Sequence, residues 1–297
     1  MAKLAMTVAA QIRSPVLERL RRRFAQTPWG TVAEIAARLG YVARGLVYIS
    51  IGLIALLAAA GLTPRAQGPL GALEAWGEWP PGVVLIWLIG LGLYGFAGWR
   101  ALQAIFDADR QGRSPKAWAS RAGQAISGLI YGGLAVSVFG LLDAIVDLHE
   151  ADDQARTMAF VADLLTWPLG QALVLGLGVF IAGAGIGNVI RAIFGHFGRG
   201  LKCDARTAAW AGTLARVGYF GRGLAMIPAG VFMLAAGWHV RASEAKSLGG
   251  VLQALHEQPL GDTVLALLAA GLAAFGAFGF VEAWHRPIRP EAGLDAR

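Results

Sequence analysis

Apolar residues dominate six stretches of this chain, at about residues 41–61, 83–104, 122–142, 169–190, 217–237 and 263–283. Each is about 20 residues long, the length an α-helix needs to cross the hydrocarbon core of a bilayer. The pattern therefore predicts six membrane-spanning helices. A shorter segment precedes every second span, as in Leu73-Glu74-Ala75-Trp76 and Leu252-Gln253-Ala254-Leu255. These segments read as short amphipathic helices with Leu73, Trp76, Leu252 and Leu255 on the membrane surface, each stopped by a proline. Pro228 falls inside the fifth span, where a kink is expected rather than a break.

Composition agrees with the bilayer as main solvent. Of 297 residues, 56% are hydrophobic and 15% charged, against about a quarter charged in soluble domains. The net charge of +7 could suggest nucleic acid. The basic residues lie at span ends, however, which makes them a topology signal and leaves no nucleic-acid role to explain. Only Arg65, Arg156, Arg241 and Lys246 fall on the side away from the N-terminus, so both termini are expected in the cytoplasm. Residues 1–37 form a basic leader without the marks of a signal peptide. Arg13, Arg19, Arg21, Arg22 and Arg23 with Val16, Leu17, Leu20 and Phe24 fit either an amphipathic helix on anionic lipids of the cytoplasmic leaflet or a basic tail. The loop from Asp143 to Asp163 is acidic and would face outward. The tail occupies 286–297.

The chain repeats itself. Arg38-Leu39-Gly40-Tyr41-Val42-Ala43-Arg44-Gly45-Leu46 returns as Arg216-Val217-Gly218-Tyr219-Phe220-Gly221-Arg222-Gly223-Leu224. A worn copy, Arg121-Ala122-Gly123-Gln124-Ala125-Ile126-Ser127-Gly128-Leu129, stands between them. Pro80-Pro81-Gly82, Pro168-Leu169-Gly170 and Pro259-Leu260-Gly261 mark the start of the second, fourth and sixth spans in register. Three units follow, at 38–106, 121–194 and 216–285, each starting and ending on the basic side. Parallel repeats of this kind are related by an axis along the membrane normal. The expected fold is an all-α integral membrane protein of six transmembrane helices, arranged as three tandem parallel two-helix repeats in a pseudo-threefold bundle. An open row of three hairpins is the alternative.

The R-x-G-Y-x-x-R-G line, the outer segment with P-x-G and the triplication resemble a bacterial family of six-span membrane proteins, domain of unknown function 1206 (DUF1206). The resemblance covers nearly the whole chain past residue 30 and departs from the pattern at Gln124 and Ser127. It implies a multi-pass protein of the bacterial inner (plasma) membrane and carries no activity to transfer.

Superposing the units puts Arg38, Arg121 and Arg216 at one level of the inner face, with Arg44, Ser127 and Arg222 about two turns deeper. These five arginines either anchor helix ends and hold lipid phosphate, or form an inner ring that binds an anionic ligand or pairs with carboxylates to close a gate, or contact a partner subunit. Gln103, Arg191 and Glu282 also match in register, so Arg191 and Glu282 are a candidate ion pair between units. The 41 glycines suit close helix contacts, with Gly183 and Gly187 as a G-x-x-x-G pair. Tyr41 and Tyr219 are expected at the interface, with Trp79, Trp99, Trp167 and Trp284 in an aromatic belt. No catalytic triad, zinc motif or phosphate loop is present, Cys203 is the single cysteine, and the five histidines are not spaced for a metal or haem. No cofactor and no enzymatic activity are expected. The bilayer is the primary partner, joined by another membrane protein or a second copy. The reading from sequence is a non-enzymatic scaffold or accessory subunit; the alternative is a small-solute or anion transporter or channel with a site on the pseudo-threefold axis.

Overall fold

The computed structural model describes residues 29–77, 79–109, 111–112, 114–146, 153–197 and 201–288. The leader before Trp29, part of the acidic loop (147–152) and the tail after Ile288 lie outside the described residues. Six helices are long and apolar enough to cross a membrane: α1 (Trp29–Ala59), α3 (Pro80–Phe106), α4 (Pro115–Val146), α6 (Gly170–Phe194), α7 (Ala205–His239) and α9 (Gly261–His285). Three shorter helices, α2 (Pro69–Gly77), α5 (Asp153–Leu165) and α8 (Leu248–His256), precede α3, α6 and α9. This is the alternation of span and short segment that the apolar pattern predicts. The first span starts well before Tyr41, because Glu34 and Arg38, one turn apart, bond at 2.6 Å and extend the helix. α7 runs through Pro228 as one helix.

The same reversal joins each short helix to its span. Trp79, Trp167 and Gln258 each donate a backbone N–H three residues back, and Gly82, Gly170 and Gly261 do the same, at 2.8–3.2 Å. A Cβ on Gly82, Gly170 or Gly261 would overlap the carbonyl oxygen of Trp76, Leu164 or His256. That close approach is why the third place of Pro-x-Gly holds glycine.

The spans pack in the order α4, α3, α1, α9, α7, α6, each against the next. α4 and α6, consecutive spans in the chain, make no comparable contact among the described residues. The second hairpin is therefore parted: α4 buries Tyr131, Ala135, Val138 and Leu141 with α1 and α3, while α6 packs its Val174 side with α7 and α5. One repeat position marks the difference. Gly40 faces Phe96, where a Cβ would lie 2.6 Å from the Phe96 nitrogen, and Gly218 faces Phe275, where a Cβ would lie 2.5 Å from its Cα. Both phenylalanines stand sixteen residues after the register proline (Pro80, Pro259). In the second unit that place is Ala184, and nothing lies within 4 Å of a Cβ on Gly123.

Two expectations are corrected here. The short helices do not rest their apolar sides on lipid: Leu73 and Leu252 are fully buried, and the Trp76 indole donates to Ser50 Oγ at 3.0 Å. Tyr41 and Trp99 are not interfacial either. Tyr41 is fully buried against Phe96, and Trp99 is 2% exposed, because α1 and α3 approach on glycines (Gly92, Gly95) that draw these rings inside. Trp79, Trp167 and Trp284 are exposed, as an interfacial belt requires.

Candidate functional site: a buried cluster of arginines

The arginines of the repeated line sort into two depths. Near the basic end, Arg38 donates to the α9 carbonyls of Ala283 and Trp284. Arg121 donates to the α3 carbonyls of Ala104 and Ile105 at 2.7 and 2.9 Å. These carbonyl pairs occupy matching repeat positions, and in both cases the arginine caps the last turn of a neighbouring span, where acceptors are otherwise unpaired. Arg216 is exposed and makes no such bond among the described residues. Two of the three arginines at this level thus spend their guanidinium groups on helix-end carbonyls.

About 9 Å deeper at 1.5 Å per residue, Arg44 is 3% exposed and bonds Glu282, itself 4% exposed, at 2.5 Å. Its guanidinium also sits 5.0 Å from the ring centres of both Phe96 and Phe275, with Tyr41 at 5.1 Å. A charge here would be costly without partners; the carboxylate and three aromatic faces offset that cost. Glu282 has a second cation, Arg286, at 2.9 Å, and Arg286 reaches Asp109 at 3.6 Å. Burial opposes the Arg286 charge, but Tyr41, Glu282 and Asp109 around it outweigh burial and hold the group above its ordinary value. Asp109 accepts from Gln103 at 2.7 Å and from Gln124 at 3.0 Å. Arg100 completes the layer, donating to Gln103 Oε1 at 3.0 Å and lying 4.9 Å over Phe96.

The expected pair of Arg191 with Glu282 is not formed. Arg191 stacks instead on Tyr219 and Phe197, at 4.7 and 5.4 Å, since α6 packs on α7 and is separated from the α9 terminus. Glu282 was the right carboxylate with the wrong partner. Arg44 stands across the close α1–α9 contact, where Gly45 and Gly276 meet backbone to backbone.

Nearer the middle of the spans, Arg222 donates from Nε to the Tyr48 hydroxyl at 2.9 Å. Its guanidinium lies 4.8 Å over Phe275. The Tyr131 hydroxyl stands 3.5 Å from that of Tyr48. Three non-adjacent spans, α1, α4 and α7, meet here through side chains. Among the described residues no carboxylate pairs with Arg222. Its two terminal nitrogens and the proton of the Tyr48 hydroxyl remain as unspent donors. Tyr48 and Tyr131 escaped the sequence reading because a lone tyrosine in an apolar span carries no signal; their shared repeat position is the one mark they bear.

On the opposite side of the membrane, the three short segments join over a cavity of about 550 Å³. Asp153 accepts from the backbone of Leu70 and Gly71 at 3.1–3.3 Å. Gln154 bridges Ser247 and Ala245, and Gln253 accepts from Ala66. Most polar groups there are used in tying segments together. Among the described residues no group of His, Cys, Asp and Glu could hold a metal ion.

These features define a polytopic membrane protein with a cationic cluster enclosed between its spans. Comparison with known proteins adds a family likeness. Residues 39–107 and 217–286 match the model of Domain of Unknown Function (DUF1206), so the likeness read from the repeated line is borne out in two separate regions. Those regions coincide with the first and third units. The chain is also similar to Uncharacterized protein YxxB of Bacillus subtilis (strain 168), 29% identical over 248 residues, which cover 82% of this chain and 88% of that protein. No solved structure matches the chain.

Proposed function

We propose that this is a plasma-membrane protein, with both termini cytoplasmic, that binds a small anionic group between its spans and moves it across or within the bilayer. One observation carries the proposal. Arg44, Arg100 and Arg286 gather around two carboxylates, Glu282 and Asp109, and Arg222 stands apart from both, on Tyr48 and Phe275. A cation half-buried between spans without a carboxylate, as Arg222 is, is costly in a bilayer unless an anion completes it. Arg222 and Tyr48, with unspent donors, form the place where it would bind, and guanidinium suits carboxylate or phosphate oxygens. The matching caps of Arg38 and Arg121, the thrice-repeated Pro-x-Gly reversal and the meeting of Tyr48 with Tyr131 support a pseudo-threefold axis through this cluster. The missing α4–α6 contact leaves that arrangement open on one side.

The test is the stability of purified protein in a series of anions at fixed ionic strength. Selective stabilisation by one class, lost in Arg222→Gln, supports the reading, since a ligand that binds the folded state raises its melting temperature. No selectivity among anions counts against it. A scaffold role is the second reading, favoured by the close glycine contacts along α1, α7 and α9. Recovery of a stoichiometric membrane partner from cells would support that alternative.

A further inference from the structure

The parted second hairpin gives the cationic site a side entrance. We infer that the seam between α4 and α6 admits an anionic amphiphile, a single-chain carboxylate or phosphate lipid, whose head group reaches Arg222 and Tyr48 while its chain lies between the two spans. This inference rests on the anion-binding reading above and specifies its ligand.

The first observation is the seam itself. In the first and third units the glycine of the opening line (Gly40, Gly218) lets the two spans meet backbone to backbone at Phe96 and Phe275. In the second unit Ala184 holds that place, Gly123 has open space before it, and the spans stay apart. The opening therefore falls at the place where the same repeat closes twice elsewhere. The second observation is what lies behind it. Tyr131, on α4, reaches inward to Tyr48, which holds Arg222. On the other flank Asn188 of α6 donates to Met226 at 3.4 Å, one turn beyond Arg222 on α7. Both walls of the seam thus lead to the cation without a carboxylate.

The third observation is charge and depth together. A water-soluble anion would approach from the basic end, where Arg286, Asp109, Glu282 and Arg44 already pair in layers across the route. An amphiphile arrives from the lipid, and its chain gains apolar contact where the spans leave room. Ile130 is 49% exposed on the α4 flank and offers such contact. The head group would replace water with a bidentate guanidinium contact and the Tyr48 hydroxyl.

The experiment uses the full-length protein purified in a neutral detergent, with oleate and lysophosphatidylglycerol as amphiphilic probes. Acetate and inorganic phosphate are the matched small anions. The expected result is a rise of several degrees in melting temperature with the amphiphiles and little change with the small anions. Arg222→Gln should abolish the rise. Ala184→Phe, which sets a bulky ring on the α6 flank of the seam, should also abolish it while leaving Arg222 in place. In parallel, a long-chain carboxylate bearing a photoactivatable group on its chain should label the segments around Ile130 and Ala184 of the unaltered protein, a readout independent of how the variants fold. Stabilisation by small anions that equals that of the amphiphiles, or labelling confined to other spans, overturns the lateral entrance and leaves an anion site in place. Absence of any response to either class overturns both readings.

Discussion

Tyr48 and Tyr131 stand 83 residues apart in the chain, the same interval that separates Arg38 from Arg121, and their hydroxyls meet between the spans at 3.5 Å. Equivalent residues of two repeats touch only where the repeats turn toward one another. The third equivalent position is Met226, which turns to Asn188 instead. The neighbouring Arg222 then takes the hydroxyl contact that a third tyrosine would have made.

The Arg44–Glu282 pair should dominate the stability of this layer. Arg44→Ala leaves Glu282 with Arg286 alone and opens space among Phe96, Tyr41 and Phe275. A loss of about 3–5 kcal/mol is expected, as for other buried pairs broken on one side. The paired variant Arg44→Met with Glu282→Gln should recover much of it. Denaturant titration of the purified protein, read by intrinsic fluorescence, measures both.

Glycines that face backbone should behave differently from those that face lipid. Gly218→Ala places a Cβ 2.5 Å from the Phe275 Cα and should cost about 1–3 kcal/mol by forcing α7 from α9. Gly133→Ala and Gly176→Ala meet open space and should be close to neutral. Melting temperatures in one detergent, compared side by side, decide this.

Removing the Arg121 side chain should fray the end of α3. Arg121→Ala deprives the Ala104 and Ile105 carbonyls of a charged donor, an effect of about 1.5–3 kcal/mol by the usual worth of such bonds. Hydrogen exchange should quicken in the last turn of α3. Arg216→Ala, at the matching but exposed position, should leave the last turn of α6 unchanged.

Acid should loosen the start of α7 before the rest. Asp204 accepts from the Thr207 N–H at 3.2 Å, and hydrogen bonds from Thr207 hold its carboxyl below the usual aspartate range. A carboxyl with a lowered folded-state value contributes its cap fully above the unfolded value, about 3.9. That contribution fades as pH falls through the folded value. Exchange at residues 205–208 should therefore rise below about pH 4, and Asp204→Ala should show the fast rate at every pH.

Cys203 reports the orientation. It lies before α7, on the same end as Arg38 and Arg121, and is partly exposed. A membrane-impermeant maleimide should label it in inverted vesicles and not in intact cells. The opposite pattern would reverse the assignment of both termini to the cytoplasm.

Much of the fold was legible because its signals are local. A twenty-residue apolar run can hardly be other than a span, and Pro-x-Gly marks a reversal whose glycine no side chain could replace. The site was legible only in part. Arg44, Arg222 and Glu282 stood out as charges within apolar runs. Which charge meets which depended on helix order, and that order was decided by single contacts such as Gly218 on Phe275. Arg191 and Glu282 share a register, which says that they lie at equal depth but not that they are neighbours. Arg100, Arg286 and Asp109 read as ordinary span-end charges, since nothing local marks a guanidinium that bends inward. The open second hairpin carries no such local mark, because the contacts that close the other two run between backbones, Gly40 to Phe96 and Gly218 to Phe275.

The first span is finished by the last. Glu282, which neutralises Arg44, and the Ala283 and Trp284 carbonyls, which Arg38 caps, all belong to the final turns of α9. During synthesis α1 enters the membrane more than two hundred residues before these partners exist. Until α9 arrives, the nascent protein carries an unneutralised arginine in its first helix. A chain truncated ahead of Glu282 would keep that defect permanently, a mark by which proteolytic surveillance in the membrane could tell an unfinished copy from a complete one.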